Sequence, residues 1–199
     1  VQEGYGMLIQ ALCQYYDMNT EEVSDGIPKY FENVEISHKI FLTPEGKISS
    51  IQDIREKMGI DGKKKPVVRK KTLILPIRSQ KPGIDLNIAE HRPLYIFGLN
   101  YDKKSDSFTP EDNTNKAKKS HECFVNGNLE FCEGLDSPII NAFREFLTNW
   151  NPADETENPH LKAISKDYST ASYCFALEGR PDILLNNDVL LKKKYTAYA

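Results

Sequence analysis

GKKKPVVRKKTLILPIRSQKPG, residues 62–83, is the stretch on which the reading of this chain turns. It carries Lys63, Lys64, Lys65, Arg69, Lys70, Lys71, Arg78 and Lys81 and no acidic residue. The whole chain has 26 basic and 29 acidic residues, so outside this stretch 18 cations face 29 anions. An acidic protein has gathered much of its positive charge in one place. Among the lysines lie Val67-Val68 and Thr72-Leu73-Ile74-Leu75, bounded by Pro66 and Pro76. So short a run of β-branched and aliphatic residues predicts a strand. Two readings fit that composition. One is a strand edge or hairpin that meets a polyanion, of which phosphate backbones are the commonest. The other is a solvated strand whose lysines prevent edge-to-edge pairing.

Upstream, VEISHKIFLT (34–43) alternates Val34, Ile36, His38 and Ile40 before the turn Pro44-Glu45-Gly46-Lys47, and Ile48 and Ile51 resume the pattern. This predicts a hairpin, with His38 packed in its apolar face. Gln52 to Met58 reads as a charged connection with one helical turn. Further back, MLIQALCQYYD (7–17) places Leu8, Ala11, Leu12, Tyr15 and Tyr16 at helical spacing and predicts a first helix. Val1–Gly6 reads as an added or unstructured lead, and 7–199 as one domain of a longer protein.

Downstream, Arg78–Asp85 contains Pro82 and Gly83 and predicts a loop. PLYIFGL (93–99) reads as an apolar strand central in a sheet, and Asn100–Asp106 as a polar turn. Thr109-Pro110-Glu111-Asp112 predicts a helix start running towards Phe124, and possible continuation to Phe131 is opposed by Gly127. Asp136-Ser137-Pro138 opens a second helix with Ile139, Ile140, Phe143, Phe146, Leu147 and Trp150 on one face, stopped by Asn151-Pro152. Leu161–Lys166 reads as a short helix, ASYCFALEG (171–179) as a strand, and Asp188–Tyr195 as a last helix. The expected class is α+β: a mainly antiparallel sheet, a first helix at the N-terminus, and a helical layer from the middle of the chain.

Catalytic signatures are lacking. The sequence has no GxSxG, Walker-type loop, GxGxxG or HExxH. His91 and His121 have no identifiable Asp or Cys partner. Cys13, Cys123, Cys132 and Cys174 form no CxxC or metal-ligand spacing, so no metal or cofactor is expected, and reduced thiols suit a cytoplasmic protein. No apolar run approaches the ~20 residues that span a bilayer. The expectation is a binding protein, not an enzyme.

The order of segments then carries a resemblance. MLIQALCQYYD (7–17), GIPKYFENVEISHKIFLTPEGKI (26–48), IQDIREK (51–57), LILP (73–76), YIFGL (95–99) and SPIINAFREFLTNWNP (137–152) follow one another as in the amino-terminal region of the large subunit of the type I-C CRISPR surveillance complex, Cascade. The resemblance implies a subunit that binds the protospacer-adjacent motif of duplex DNA and aids unwinding, while guide RNA reads the target by base pairing. It implies other Cascade subunits as partners, and cleavage by a recruited helicase–nuclease. The family's two motif-facing loops match Ile27-Pro28-Lys29 and Arg78–Gly83, and Asn87 matches an asparagine that opens the next segment. Glu90-His91-Arg92 departs from the Trp-Asp-Asn that relatives tend to carry.

Lys29, Ser79, Gln80, Lys81 and Asn87 are thus the candidates for reading bases, since amide and ammonium groups suit base edges. Lys63, Lys64, Lys65, Arg69, Lys70, Lys71 and Arg78 are the candidates for phosphate contacts. An alternative is an RNA-facing module that holds the 5′ end of the guide and scaffolds subunits. A hydrolase or nuclease with an unrecognised site is the third possibility.

Overall fold

The computed structural model describes residues 27–59 and 67–198. The helix expected over 7–17, Cys13, and Lys63, Lys64 and Lys65 lie outside them. The class is α+β, with mostly antiparallel pairing and helices in the middle and C-terminal parts.

The spine is strand β2 (His38–Leu42), preceded by β1 (Phe31–Ile36) and followed across the Pro44–Lys47 turn by β3 (Ile48–Asp53). β2 pairs antiparallel with β3, as the alternation predicts. On its other side it pairs in parallel with β9 (Tyr173–Leu177), in the register His38↔Tyr173 through Leu42↔Leu177. β10 (Arg180–Leu184) completes a four-stranded sheet in the order β10-β9-β2-β3.

This sheet is covered on both faces. Ile40, Leu42, Tyr173 and Phe175 point into the main core, whereas Phe41, Cys174 and Ala176 join Ile36, Leu75 and Leu184 in a smaller one. Two-sided burial explains why YCFAL has no polar alternation.

The first arm of the expected hairpin, 34–43, is not one strand but a change of sheet. At Ser37, buried to 1% exposure, the chain leaves β1 and enters β2. The Ser37 hydroxyl accepts the Ser172 N–H (2.9 Å) and lies 3.1 Å from the Ser172 carbonyl, and the Ser37 and His38 amides also donate to that carbonyl, each at 3.0 Å. β1 pairs antiparallel with β6 (Lys71–Pro76), from Phe31↔Pro76 to Ile36↔Lys71. The basic strand is likewise divided. Lys70 separates β6 from β5 (Val67–Arg69), which forms an exposed ribbon with β4 (Glu56–Met58). That ribbon replaces the helical turn expected there, because Met58, Lys57 and Glu56 face Val67, Val68 and Arg69 across a ladder.

PLYIFGL is the clearest departure. Pro93–Phe97 is a short helix, α1, with Pro93 in its first turn and Gly98 as a left-handed cap donating to the Leu94 carbonyl. Its apolar run reflects the burial of three consecutive helical residues, Tyr95, Ile96 and Phe97, with Leu99 beyond them also in the core. A short hairpin, β7 (Asn100–Asp102) and β8 (Ser107–Thr109), follows.

Helix α2 then spans Lys116–Phe131, starting later than Thr109-Pro110 suggests. Asp112 sets the start from outside, accepting the amides of Lys116 and Ala117 at 2.9 Å each. Gly127 does not end the helix. A Cβ there meets Leu86 Cδ1 at 2.4 Å, so glycine admits the neighbouring loop.

Helix α3 (Pro138–Asn149) begins at Ser137, whose hydroxyl accepts the Ile140 amide. It seats Phe143 and Phe146 on Phe175, with ring centroids 5.0 and 5.5 Å apart. Trp150 plugs the edge of this core and donates its indole N–H to the Phe97 carbonyl at 2.9 Å. Short helices α4 (Pro159–Ala163) and α5 (Ser165–Tyr168) lead back to β9, and α6 (Val189–Tyr198) closes the fold.

Gly46, in the β2–β3 turn, has φ +76°, and a Cβ there lies 2.2 Å from the Phe146 amide nitrogen on α3. Gly134 has the same φ and nothing within 4 Å. Both alanine substitutions incur the left-handed strain, about 1 kcal/mol. Only Gly46→Ala also drives the turn off α3, adding roughly 1–3 kcal/mol. Urea denaturation of the two variants is expected to show that difference.

Candidate nucleic-acid interface

The β1–β6 ladder positions the basic residues. Beyond its Phe31↔Pro76 end the Tyr30 carbonyl accepts the Ile77 amide at 2.9 Å. Lys29 and the Arg78–Gly83 loop therefore leave from the same end of one ladder. Arg69, Lys70 and Lys71 lie at the opposite end, about 17 Å away for five strand steps. Lys29, Arg69, Lys71, Gln80 and Lys81 are exposed, and Lys70, Arg78 and Ser79 half-buried. Lys29 also lies over the Tyr30 ring, 5.2 Å from its centroid.

The 78–92 segment is held from within. Arg78 N–H donates to Glu32 Oε1 (3.0 Å) and Ser79 N–H to Asn87 Oδ1 (2.8 Å). The Ser79 hydroxyl donates to Asp85 Oδ2 at 2.5 Å, and its oxygen accepts the Lys81 amide. Asn87 is buried, and its amide nitrogen donates to the Asp85 carbonyl and Glu90 Oε2. Both ends of that amide are committed inward, so Asn87 braces the loop in this conformation and presents nothing to a base. Leu86 packs over Gly127, and the Asn87 carbonyl accepts from Asn128 Nδ2, docking the segment on α2. The tip, Gln80 to Gly83, is exposed.

Glu90 is the keystone of this loop. Its side chain is fully buried, yet Oε1 accepts the backbone amides of His91 (2.9 Å) and Arg92 (3.0 Å). Arg92 Nε and a terminal guanidinium nitrogen bind the two carboxylate oxygens at 2.9 and 2.6 Å. The guanidinium also lies 4.0 Å from the Tyr95 ring centroid. Burial opposes ionisation of Glu90, but the hydrogen bonds and charge of Arg92 outweigh it and hold the carboxyl below its ordinary value. Glu90 and Arg92 escape a sequence reading because an acid and a base two residues apart have no meaning without the burial that couples them.

Between the two basic poles, alongside β1, runs a shallow groove of about 580 Å³. It is lined by Lys70, Arg78, Gln80 and His91, together with Glu32 and Glu35 of β1. Burial pushes the His91 imidazole below its ordinary value, so it is neutral at pH 7. The other buried imidazoles belong to the core. His121 Nδ1 pairs with the Tyr95 carbonyl and His38 Nδ1 with the Ser37 hydroxyl. Burial raises the Cys132 and Cys174 thiols to about 11 and about 12, which leaves them unreactive. Among the described residues no helix is long and apolar enough to cross a membrane.

A family model described as CRISPR-associated protein (Cas_Csd1) matches residues 12–199. No curated protein matches the sequence.

Because Glu90 ionises below the ordinary glutamate value of 4.5, its brace is fully present above that value and is lost as pH falls through the lower folded-state value. Glu90→Gln is expected to cost on the order of 2–3 kcal/mol near neutrality. In urea denaturation the gap from the unsubstituted protein should close only under more acidic conditions; a pH-independent gap contradicts an ionised Glu90.

Proposed function

The chain belongs to the Cas_Csd1 family of CRISPR-associated proteins, and from that premise we propose that it is the DNA-recognition region of an RNA-guided surveillance complex. It acts as the amino-terminal domain of the large subunit of a type I-C Cascade in the cytoplasm. There it binds the protospacer-adjacent motif of duplex DNA and helps the strands part. It binds and does not cut. Guide RNA and the other subunits complete the assembly, and a recruited helicase–nuclease performs cleavage.

The observation that supports this reading is the shared origin of two loops. The Tyr30–Ile77 hydrogen bond sets Lys29 beside the Arg78–Gly83 loop at one end of the β1–β6 ladder. A duplex approached from that end meets exposed Gln80 and Lys81 first, on a loop whose base is fixed by Ser79, Asp85 and Asn87. Loop tips on a rigid scaffold suit base reading, because the donor and acceptor positions are set before contact. Asn87 enters this reading as the brace of the reader. Lys70 and Lys71, with Arg69 on the exposed ribbon, are assigned to phosphates further along the duplex, as are Lys63–Lys65 from sequence.

Filter-binding or fluorescence-anisotropy titrations of the assembled complex, on motif-containing and motif-scrambled duplexes over a salt series, separate these roles. Gln80→Ala or Lys81→Ala is expected to lower affinity for motif DNA roughly tenfold and to leave scrambled DNA nearly unchanged, as for a lost base contact. Arg69→Ala with Lys71→Ala is expected to weaken both duplexes alike and to reduce the salt slope by about one for each lost phosphate contact. Equal losses on both duplexes for Gln80 and Lys81 overturn the assignment of the loop as reader. Competition by guide-repeat RNA in place of duplex DNA points to the RNA-facing alternative.

A further inference from the structure

The groove along β1 carries chemistry that phosphate binding leaves unexplained. Arg78 Nε and His91 Nδ1 are both buried with no hydrogen-bond partner among the described residues, and both residues line the groove. Buried polar atoms are ordinarily satisfied, and leaving two without partners costs free energy that a bound group recovers. Their positions are fixed rather than adventitious. The Arg78 amide is tied to Glu32, the His91 amide to Glu90, and the His91 carbonyl accepts the Tyr173 amide at 2.9 Å, which fastens the imidazole to the central sheet.

The remaining wall identifies the ligand class. A phosphate site is lined by donors, but Glu32, whose carboxylate accepts the Arg78 amide, brings negative charge to this groove and disfavours a bare dianion. Gln80 adds a donor and an acceptor. A guanidinium, a neutral imidazole, an amide and a carboxylate together match a group that presents acceptors and donors side by side along one planar edge. The edge of an unpaired nucleobase has that character: ring nitrogens and carbonyls take hydrogen bonds from Arg78, and amino or imino protons give them to a carboxylate. Within a base-paired duplex the Watson–Crick edge is occupied, so the groove discriminates for an unpaired strand.

We propose that the β1 groove is a binding site for a single unpaired nucleobase, taken between Arg78, His91, Gln80 and Glu32. The site rests on the nucleic-acid reading above and deepens it. The exposed loop tip meets a duplex, whereas the groove behind it captures a base once strands have parted. The Arg78 guanidinium makes no ion pair among the described residues.

The test follows the imidazole signals of the four histidines by NMR while the full chain is titrated with each of the four nucleoside 5′-monophosphates and, separately, with ribose 5-phosphate. The expected result is a saturable shift of the His91 resonance by at least one nucleotide, at concentrations at least tenfold below those at which ribose 5-phosphate acts. Arg78→Gln is expected to weaken that nucleotide about tenfold, and Glu32→Gln to weaken it without affecting ribose 5-phosphate. Unchanged thermal unfolding shows that the variants keep their fold. No response to any nucleotide, or a response no tighter than that to ribose 5-phosphate, overturns the proposal. Short single-stranded DNA and RNA of one sequence, compared with abasic versions, then identify the source of the base by whichever loses more affinity. Duplex recognition by the loop tip is measured separately, so either site can fail while the other stands.

Discussion

The parallel pairing of β2 with β9 is the constraint on which the structure depends. It joins His38–Leu42 to Tyr173–Leu177, segments separated by most of the chain, and makes both strands central. A one-residue slip would exchange Phe175 and Tyr173 with Cys174 and Ala176 between the two cores. The large rings fill the side where α3 packs, and the small side chains leave room for β1, β6 and Leu184 on the other. Ser37 and Ser172 fix the register at the strand ends through four hydrogen bonds. The β1–β6 ladder, the loop beyond it and the groove beside it all take their positions from that junction.

The candidate interface is therefore built outward from a rigid base. Burial is spent on the supports: Glu90 and Asn87 are inside, Arg92 half inside. The exposed groups, Gln80 and Lys81, have few restraints of their own. The Glu90-His91-Arg92 segment serves this arrangement, because one carboxylate holds two backbone amides and a guanidinium together and so determines where the imidazole stands. A substitution there alters the groove without touching any exposed cation.

Much of the fold is legible in the sequence where one local rule dominates. The helix from Pro138 is announced by Ser137, Pro138 and a continuous apolar face, and the Pro44–Lys47 turn by its residues. Legibility fails where tertiary contact overrides local pattern. PLYIFGL reads as a strand because its helix is too short, and its buried residues too nearly consecutive, to show a helical period. Gly127 reads as a breaker because nothing nearby in sequence reveals Leu86 approaching from another segment. Glu56–Met58 gives no strand signal because its pairing partner, Val67–Arg69, supplies the apolar residues. The basic stretch announces positive charge but not its division at Lys70, which depends on two different partner strands. The site follows the same pattern: exposed cations are visible as composition, while the buried acid and imidazole that shape the groove acquire meaning only through packing.

The β2–β9 pairing also bears on synthesis. β2 and β3 leave the ribosome as a hairpin with one apolar edge unfilled, and β9 follows about 120 residues later. At ordinary rates of elongation that interval is roughly 6–24 s. Throughout it Ile40, Phe41 and Leu42 lack their final neighbour, and contacts of such long sequence separation are slow to form even when the chain is complete. The nascent chain thus carries an open strand edge for many seconds, a period in which a chaperone or an early assembly partner has the same access to it as β9 will have later.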